Sequence, residues 1–456
     1  MAKKHTFDYD LIVIGSGASG SAAAKIAADN KLSVAIVESD KLGGNAVNYG
    51  DIPTKALLHA ANLYDEAKHG AKFGLRSATL GYNYPALRNW RDLSVKRSGI
   101  NDSKKYYEDQ GITVLRGWAH FLSPNEISVN RRHVSAKKFL IATGSTWSTP
   151  KIPGIDGIQY WNPKTILEVL RPPKSLLVVG GGAIAVEIAQ LMATFGTKVY
   201  IIEAHKHLLP RYDEEVGATI EKGLSEKKGV SILTKAKVLS IEKDGLFKRV
   251  VVSRGNATTT LKVDEILIAD SKTPNVDMGL ENAGVKYGKN GIEVNEWLQT
   301  NVKHIFATGD VIGPNKTAQT LIMEGQAAAN NIVNRNKLTP NYSVNPEIVF
   351  TNPGVAVVGL TESECQKQKI AVNKSTAQLN YIVRSNTSDF SNGFVKLITN
   401  KKGVLIGASI VAPHAGEMIQ ELALAIKCGL TAKDIASTPH HFLSWSEAIR
   451  VAASKL

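Results

Sequence analysis

Two stretches of the sequence repeat one pattern: YDLIVIGSGASGSAAAKIAA at residues 9–28 and KSLLVVGGGAIAVEIAQLMA at 174–193. Each begins as an apolar run of strand length, turns through glycines and continues as an alanine-rich stretch of helical character. Gly15, Gly17 and Gly20 give G-x-G-x-x-G, while Gly180, Gly182 and Ala185 give G-x-G-x-x-A. A second strand-like run follows each copy, LSVAIVES and TKVYIIEA. Each run carries an acid 23 positions after the first glycine, Glu38 and Glu203. The first glycine permits a tight turn, the second lets backbone approach a pyrophosphate, and the third position lets helix and strand pack closely. The helix N-terminus presents unpaired N–H groups and a partial positive charge to phosphate.

One such motif carries little weight. Two, each in a full strand–turn–helix–strand context with its acid at the same offset, predict two dinucleotide sites, which suggests FAD at one and a pyridine nucleotide at the other. The acid accepts a hydrogen bond from a ribose 2′-hydroxyl. A 2′-phosphate about 5 Å from Glu203 would be repelled by roughly 3 kcal/mol at an effective dielectric of 20, which favours NADH over NADPH. His205, Lys206 and His207 follow closely and offset part of that repulsion.

The rest of the composition sets bounds. A length of 456 residues suggests about three domains. No apolar run is long enough to span a bilayer, and MAKKHTFDYD passes straight towards the first strand with no signal-peptide pattern. The two cysteines, Cys365 and Cys428, have no motif spacing, which fits a reducing compartment, and the expected location is cytoplasmic. The net charge of +14 is scattered over pairs such as Lys3-Lys4, Lys104-Lys105 and Lys137-Lys138. Without a long basic block interleaved with aromatics, specific nucleic-acid binding is not expected. The C-terminal Ser454-Lys455-Leu456 matches a peroxisomal address, a pattern three residues meet easily by chance.

Further motifs fall in order along the chain: GGNAVNYGDIPTKALLHA at 43–60, FLIATGS at 139–145, IADSKTPNVDMGLENAGV at 268–285, TNVKHIFATGDVIG at 300–313 and PEIVFTNPGVAVVGLTE at 346–362. Together with the two glycine repeats they resemble the pyridine nucleotide–disulfide oxidoreductase family, in its class I branch with dihydrolipoamide dehydrogenase and mercuric reductase. The resemblance implies an α/β fold with two Rossmann-like dinucleotide-binding domains, for FAD and NAD, and a C-terminal α+β dimerisation domain. The implied boundaries are a discontinuous FAD domain, 1–150 and 271–340, an NAD(P) domain, 151–270, and an interface domain, 341–456. Pro150, Pro153, Pro163, Pro172 and Pro173 punctuate the entry to the second, and Pro340 and Pro346 precede the third.

The same resemblance implies residue roles. Asp310 would hydrogen-bond the ribityl chain of FAD, Ala318 would place backbone near the flavin O2, and Ala119 would meet the adenine. Gly44 would approach the cofactor, and Thr143-Gly144 would mark the exit from the FAD domain. Lys55 would stand beside flavin N5 with Glu187 as its partner, a cation that stabilises negative charge on the reduced flavin. Ile184 would line the nicotinamide path or pack in the core.

The chain departs from the family pattern at its reactive centre. Members with the redox disulfide carry two cysteines separated by four residues in the 43–60 segment. The register set by Gly43-Gly44 and Ile52-Pro53-Thr54-Lys55 puts Ala46 and Asp51 in their places. In TPHHFLSWSEAIRVAA, at 438–453, alignment on Ser446-Glu447 puts Phe442 where the family has a catalytic histidine. His440, His441 and Glu447 remain nearby, with packing and chemical roles both open. A buried carboxylate at Asp51 would be pulled two ways, since desolvation favours its neutral form and Lys55 its anion. It stands either as a catalytic group or as a loop aspartate bonded to nearby backbone.

These readings predict a homodimeric flavin-dependent NAD(P)H oxidoreductase. It would pass electrons from NADH through FAD directly to a non-disulfide small molecule, quinone-like, a dye or dioxygen. A transhydrogenase, and a low-turnover FAD/NAD-binding scaffold or sensor, are the alternatives.

Overall fold

The strand-forming part of the first repeat is β-branched and apolar, and it becomes the centre of a sheet. A computed structural model of the chain describes residues 7–76, 80–98, 103–314, 316–334 and 337–456. The Lys3-Lys4 pair and the residues before Phe7 lie outside them. The described chain divides into two units of packing, 1–54 with 91–148 and 271–341, and 55–90 with 149–270 and 342–456.

In the first unit, strand Tyr9–Ile14 pairs in parallel with Val34–Glu38 on one side and Arg132–Ile141 on the other. Ile112–Arg116 extends the parallel edge beyond Val34–Glu38. Ile305–Ala307 also pairs in parallel with Arg132–Ile141. The hairpin strands Ala119–Ser123 and Glu126–Val129 continue the sheet antiparallel. Helix Ala18–Asp29 packs against helix Ala318–Asn334. That approach needs glycine: a Cβ on Gly325 would lie 2.2 Å from the Ser19 carbonyl oxygen. The central strands bury Leu11, Ile12, Val13, Ile36, Phe139 and Leu140 completely, as a sheet covered on both faces requires.

The second unit repeats the scheme on a smaller scale. Its four parallel strands lie in the order Val230–Leu233, Lys198–Ile202, Ser175–Val179 and Glu265–Ile268. Helix Ala183–Thr194 follows the glycine turn. A three-stranded antiparallel sheet, Ala236–Asp244, Phe247–Arg254 and Ala257–Val263, closes over Leu177, Ile202 and Ile266.

The chain from 342 onward forms a five-stranded antiparallel sheet with helices Ala415–Cys428 and Glu447–Ala453 packed on it. Its core includes Val395, Leu397, Ile410, Ile419, Leu422 and Ile449. The architecture is therefore two Rossmann-like folds plus an α+β domain, as the sequence predicts. No helix among the described residues is long and apolar enough to cross a membrane.

Candidate functional site: two glycine loops and their acids

Both glycine loops take the conformation that their spacing predicts. Gly15 has φ +105° and Gly180 φ +106°, in the region that favours glycine. A Cβ on Gly15 would meet the Ala142 carbonyl oxygen at 2.3 Å, and one on Gly20 would meet the Gly15 carbonyl oxygen at 2.0 Å. At Gly17 and Gly182 a Cβ would meet nothing within 4 Å, so these turns open onto free space. Gly17 and Gly182 are also the N-caps of their helices, and neither helix has a side-chain cap. Uncapped N–H groups beside an open glycine turn fit a dinucleotide pyrophosphate at both places.

Each acid is tied to its own loop. Glu38 Oε2 accepts from the Ser16 N–H at 2.9 Å and from Ser16 Oγ at 2.6 Å, while Oε1 accepts from the Asp40 N–H at 2.8 Å. Behind Ser16, the Ser21 hydroxyl donates to the Ser16 carbonyl at 2.6 Å and lies 2.7 Å from the Tyr107 hydroxyl. Burial pushes the Tyr107 hydroxyl up to about 12, so it stays a neutral hydrogen-bonding group. Glu203 Oε2 accepts from the Gly181 N–H at 2.6 Å in the second loop.

The 43–60 segment begins moored to the first loop. The Gly43 N–H donates to Ser16 Oγ at 3.1 Å, and a Cβ on Gly44 would lie 2.6 Å from the Gly17 Cα. Asn48 Nδ2 donates to the Leu42 and Gly44 carbonyls. Ala46 sits in the short helix Gly44–Asn48, and Gly50 folds back so that a Cβ there would lie 3.6 Å from the Ala46 Cα. Asp51 opens the helix Asp51–Lys68. Its side chain is exposed in the single chain. An acid at a first-turn position is favoured by the helix's positive end.

Asp310 lies buried at the Thr-Gly-Asp turn. Its Oδ2 accepts from Ser145 Oγ at 2.7 Å and lies 3.4 Å from Lys272 Nζ, and its Oδ1 accepts from the Lys316 N–H at 3.2 Å. In the following helix, Ala318–Asn334, the fully buried Glu324 accepts from the Gly309 N–H at 2.7 Å and from Lys316 Nζ at 2.5 Å. Thr143 and Asn275 exchange hydrogen bonds at 2.8 Å, and the Asn275 N–H donates to the Gly144 carbonyl at 3.0 Å. Ala119 starts a hairpin strand, and Ala318 is the first residue of its helix.

In the second unit, Lys55 and Glu187, 132 positions apart, meet at 2.9 Å. The Glu187 side chain is 2% exposed, and its other oxygen accepts from the Phe350 N–H at 2.8 Å. Lys55 Nζ also lies 4.7 Å from the centre of the Phe350 ring. Three residues from Glu187, Gln190 Nε2 donates to the Asn352 carbonyl at 3.0 Å, and its oxygen accepts from the Asn352 N–H at 2.9 Å. Ile184, on the first turn of that helix, is partly buried against the core.

His440 is bonded within its own domain, with Nε2 2.8 Å from Glu421 and Nδ1 2.9 Å from the Thr438 carbonyl. His441 and Phe442 are exposed, Trp445 is buried, and Glu447 lies 3.6 Å from Arg450. Sequence reasoning missed Ser145, Lys272, Lys316, Glu324, Tyr107 and Phe350. Ser145, Lys272 and Phe350 lie inside quoted motifs, but a lone serine, a lone lysine and an aromatic at a strand end carry no site signal by themselves.

Residues 9–331 match the family described as pyridine nucleotide-disulphide oxidoreductase, and residues 345–453 match its dimerisation domain. A mercuric reductase of Staphylococcus aureus is 33% identical over 450 residues, covering 98% of this chain and 82% of that protein. A dihydrolipoyl dehydrogenase of Thermus scotoductus is 36% identical over 460 residues, covering 98% and 97%. Among solved structures, the HOCl-induced flavoprotein disulfide reductase RclA from Escherichia coli matches with a TM-score of 0.86 at 26% identity, over 98% of this chain and 99% of that one.

Proposed function

Because this chain belongs to the pyridine nucleotide-disulphide oxidoreductase family, with its use of FAD and NAD(P)H and its dimerisation domain, we propose that it is a homodimeric NADH oxidoreductase whose electron acceptor is not a disulfide. One observation carries the acceptor reading. The family's two cysteine places hold Ala46 and Asp51, and the chain's two cysteines, buried Cys365 and exposed Cys428, stand in other segments. Alanine has no nucleophilic atom, and aspartate cannot cycle through a disulfide. Phe442 at the histidine place agrees, since a proton relay has no task without its thiol.

Bound FAD would supply the redox chemistry, taking a hydride from the nicotinamide and giving electrons to a quinone-like acceptor, a dye or dioxygen. The chain's own residues would bind and polarise. Gly15, Gly17 and Gly20 leave room for the FAD pyrophosphate, Glu38 takes its ribose, and Ala119 and Thr143-Gly144 flank it. Asp310, oriented by Ser145, takes the ribityl chain. Gly180, Gly182 and Glu203 serve the nicotinamide dinucleotide, and Ile184 lines its path. Lys55, its ammonium held by Glu187, would supply the cation that stabilises charge on the reduced flavin. A scaffold without turnover has little use for a cation at that place, which favours turnover. Asp51, exposed on the first turn of its helix, would be the polar group offered to the acceptor in place of the family's thiol. The proposed domains are 1–150 with 271–340 for FAD, 151–270 for NAD and 341–456 for the dimer interface.

The test is anaerobic mixing of the yellow holoenzyme with NADH. The flavin band should bleach without a long-wavelength thiolate–flavin absorption, and a quinone, but not lipoamide, should restore it. Absence of bleaching would sink the enzyme reading, and a thiolate band would show that the register over Ala46 and Asp51 is wrong.

A further inference from the structure

Three basic side chains follow Glu203 in succession, and the fold sends them in different directions. Lys206 Nζ donates to Glu214 at 2.6 Å, and His207 lies 3.0 Å from Glu214 and 3.4 Å from Glu221. Both are thus engaged by helix Glu214–Ser225. His205 turns back onto the acid. Its N–H donates to Glu203 Oε1 at 2.7 Å, and its ring Nδ1 lies 2.6 Å from the same oxygen. Glu203 is 6% exposed, while the His205 side chain bonded to it is 68% exposed.

A second carboxylate faces the same place. Asp270 follows strand Glu265–Ile268, and its Cα would lie 3.2 Å from a Cβ on Gly180. Burial and the Glu203 charge hold the Asp270 carboxyl above the usual range, while His205 acts in the opposite sense. Lys235 meets His205 through its N–H, which donates to the His205 carbonyl at 2.8 Å. Two carboxylates alone would exclude a 2′-phosphate by like-charge repulsion. An imidazolium bonded to one of them would offset its charge, and the other ring nitrogen would offer an N–H to a phosphate oxygen.

We propose that His205 is a specificity-determining residue that, by pairing with Glu203, lets the second glycine loop accept NADP(H) alongside NAD(H). This rests on the reading that the second loop binds a nicotinamide dinucleotide. Lys206 and His207, already held by Glu214 and Glu221, take no part.

Binding of NAD+ and NADP+ to the oxidised holoenzyme, measured by titration calorimetry, tests it. The wild type should bind both. His205→Ala should weaken NADP+ about tenfold or more and leave NAD+ within about twofold, and His205→Lys, which supplies a cation, should hold NADP+ within about threefold of wild type. An unchanged NADP+/NAD+ ratio in His205→Ala, or a wild type that binds NAD+ alone, overturns the role of His205 and leaves the dinucleotide reading standing. A wild type that binds neither nucleotide overturns both.

Discussion

At the residue scale, the Lys55–Glu187 pair separates what stabilises from what reacts. Glu187 is almost fully buried and has two partners, the Lys55 ammonium and the Phe350 N–H. Lys55→Met would leave its carboxylate buried without a counter-charge, at a cost of roughly 3 kcal/mol. Lys55→Met/Glu187→Gln removes both charges and should recover most of that loss in thermal unfolding. The double variant should still reduce its flavin slower than wild type, by roughly 10- to 100-fold in stopped-flow mixing with NADH. A double variant with wild-type reduction rates would assign the pair to structure alone. Lys55 and Glu187 were legible together only through the family resemblance, because nothing in local spacing joins positions so far apart. Phe350 was not legible, since its contact uses a backbone N–H and a ring face that any aromatic at a strand end could offer. Asp51 shows the reverse case: its identity was plain, but its exposure depends on where a helix begins.

At the element scale, two devices hold parts together, and they answer to different physics. The first is the glycine contact between helices Ala18–Asp29 and Ala318–Asn334. Gly325→Ala would drive a methyl to 2.2 Å from the Ser19 carbonyl oxygen, so the helices must separate. A loss of about 1–3 kcal/mol is expected, with faster release of bound flavin on dilution, because the displaced helix carries Ala318 at its start. Fluorescence of released flavin and the thermal midpoint report the two effects.

The second device is Lys396, on strand Phe394–Asn400. Its side chain is 2% exposed and lies 3.0 Å from Asp213, 3.1 Å from Glu215 and 2.8 Å from Glu362. Hydrogen bonds from Lys374 and Lys396 hold the Glu362 carboxyl below its usual 4.5, so its stabilisation is present above that pH and is lost as pH falls. Burial alone would lower Lys396, but Glu362 and Asp213 hold it above its usual 10.5, so its contribution is full below that value and lost only in strong alkali. Lys396→Met should cost roughly 3–5 kcal/mol at neutral pH, and the deficit should shrink towards pH 4 as the stranded carboxylates take up protons. Unfolding midpoints of both proteins between pH 4 and 8 check the sign. A deficit that grows on acidification would contradict it. Neither device was visible beforehand, since both join segments whose neighbours only the tertiary fold decides.

At the scale of the whole molecule, the order of the motifs carried the architecture. Two glycine repeats of one length fixed two parallel sheets, because that spacing is useful only between a buried strand and a helix. The domain after residue 341 was legible only by resemblance: antiparallel strands with one solvated face leave a weaker pattern than a glycine turn. That domain also leaves large apolar side chains in solvent, among them Tyr381, Leu424, Phe442 and Leu443. The last two lie in the domain that the resemblance assigns to dimerisation. Leu443 holds φ +65°, a conformation that costs a branched residue energy and persists where surrounding contacts impose it. A side chain such as Phe442, 62% exposed in the single chain, is of the aromatic kind that anchors interfaces. If it is buried against a second copy, Phe442→Glu places an unpaired charge there. The dimer should weaken by about 2 kcal/mol, roughly 30-fold in dissociation constant, with the fold of each protomer intact. Sedimentation equilibrium over a dilution series measures this directly, and far-ultraviolet circular dichroism checks the protomer. An unaltered dissociation constant would place Phe442 outside the interface and return it to a purely local role.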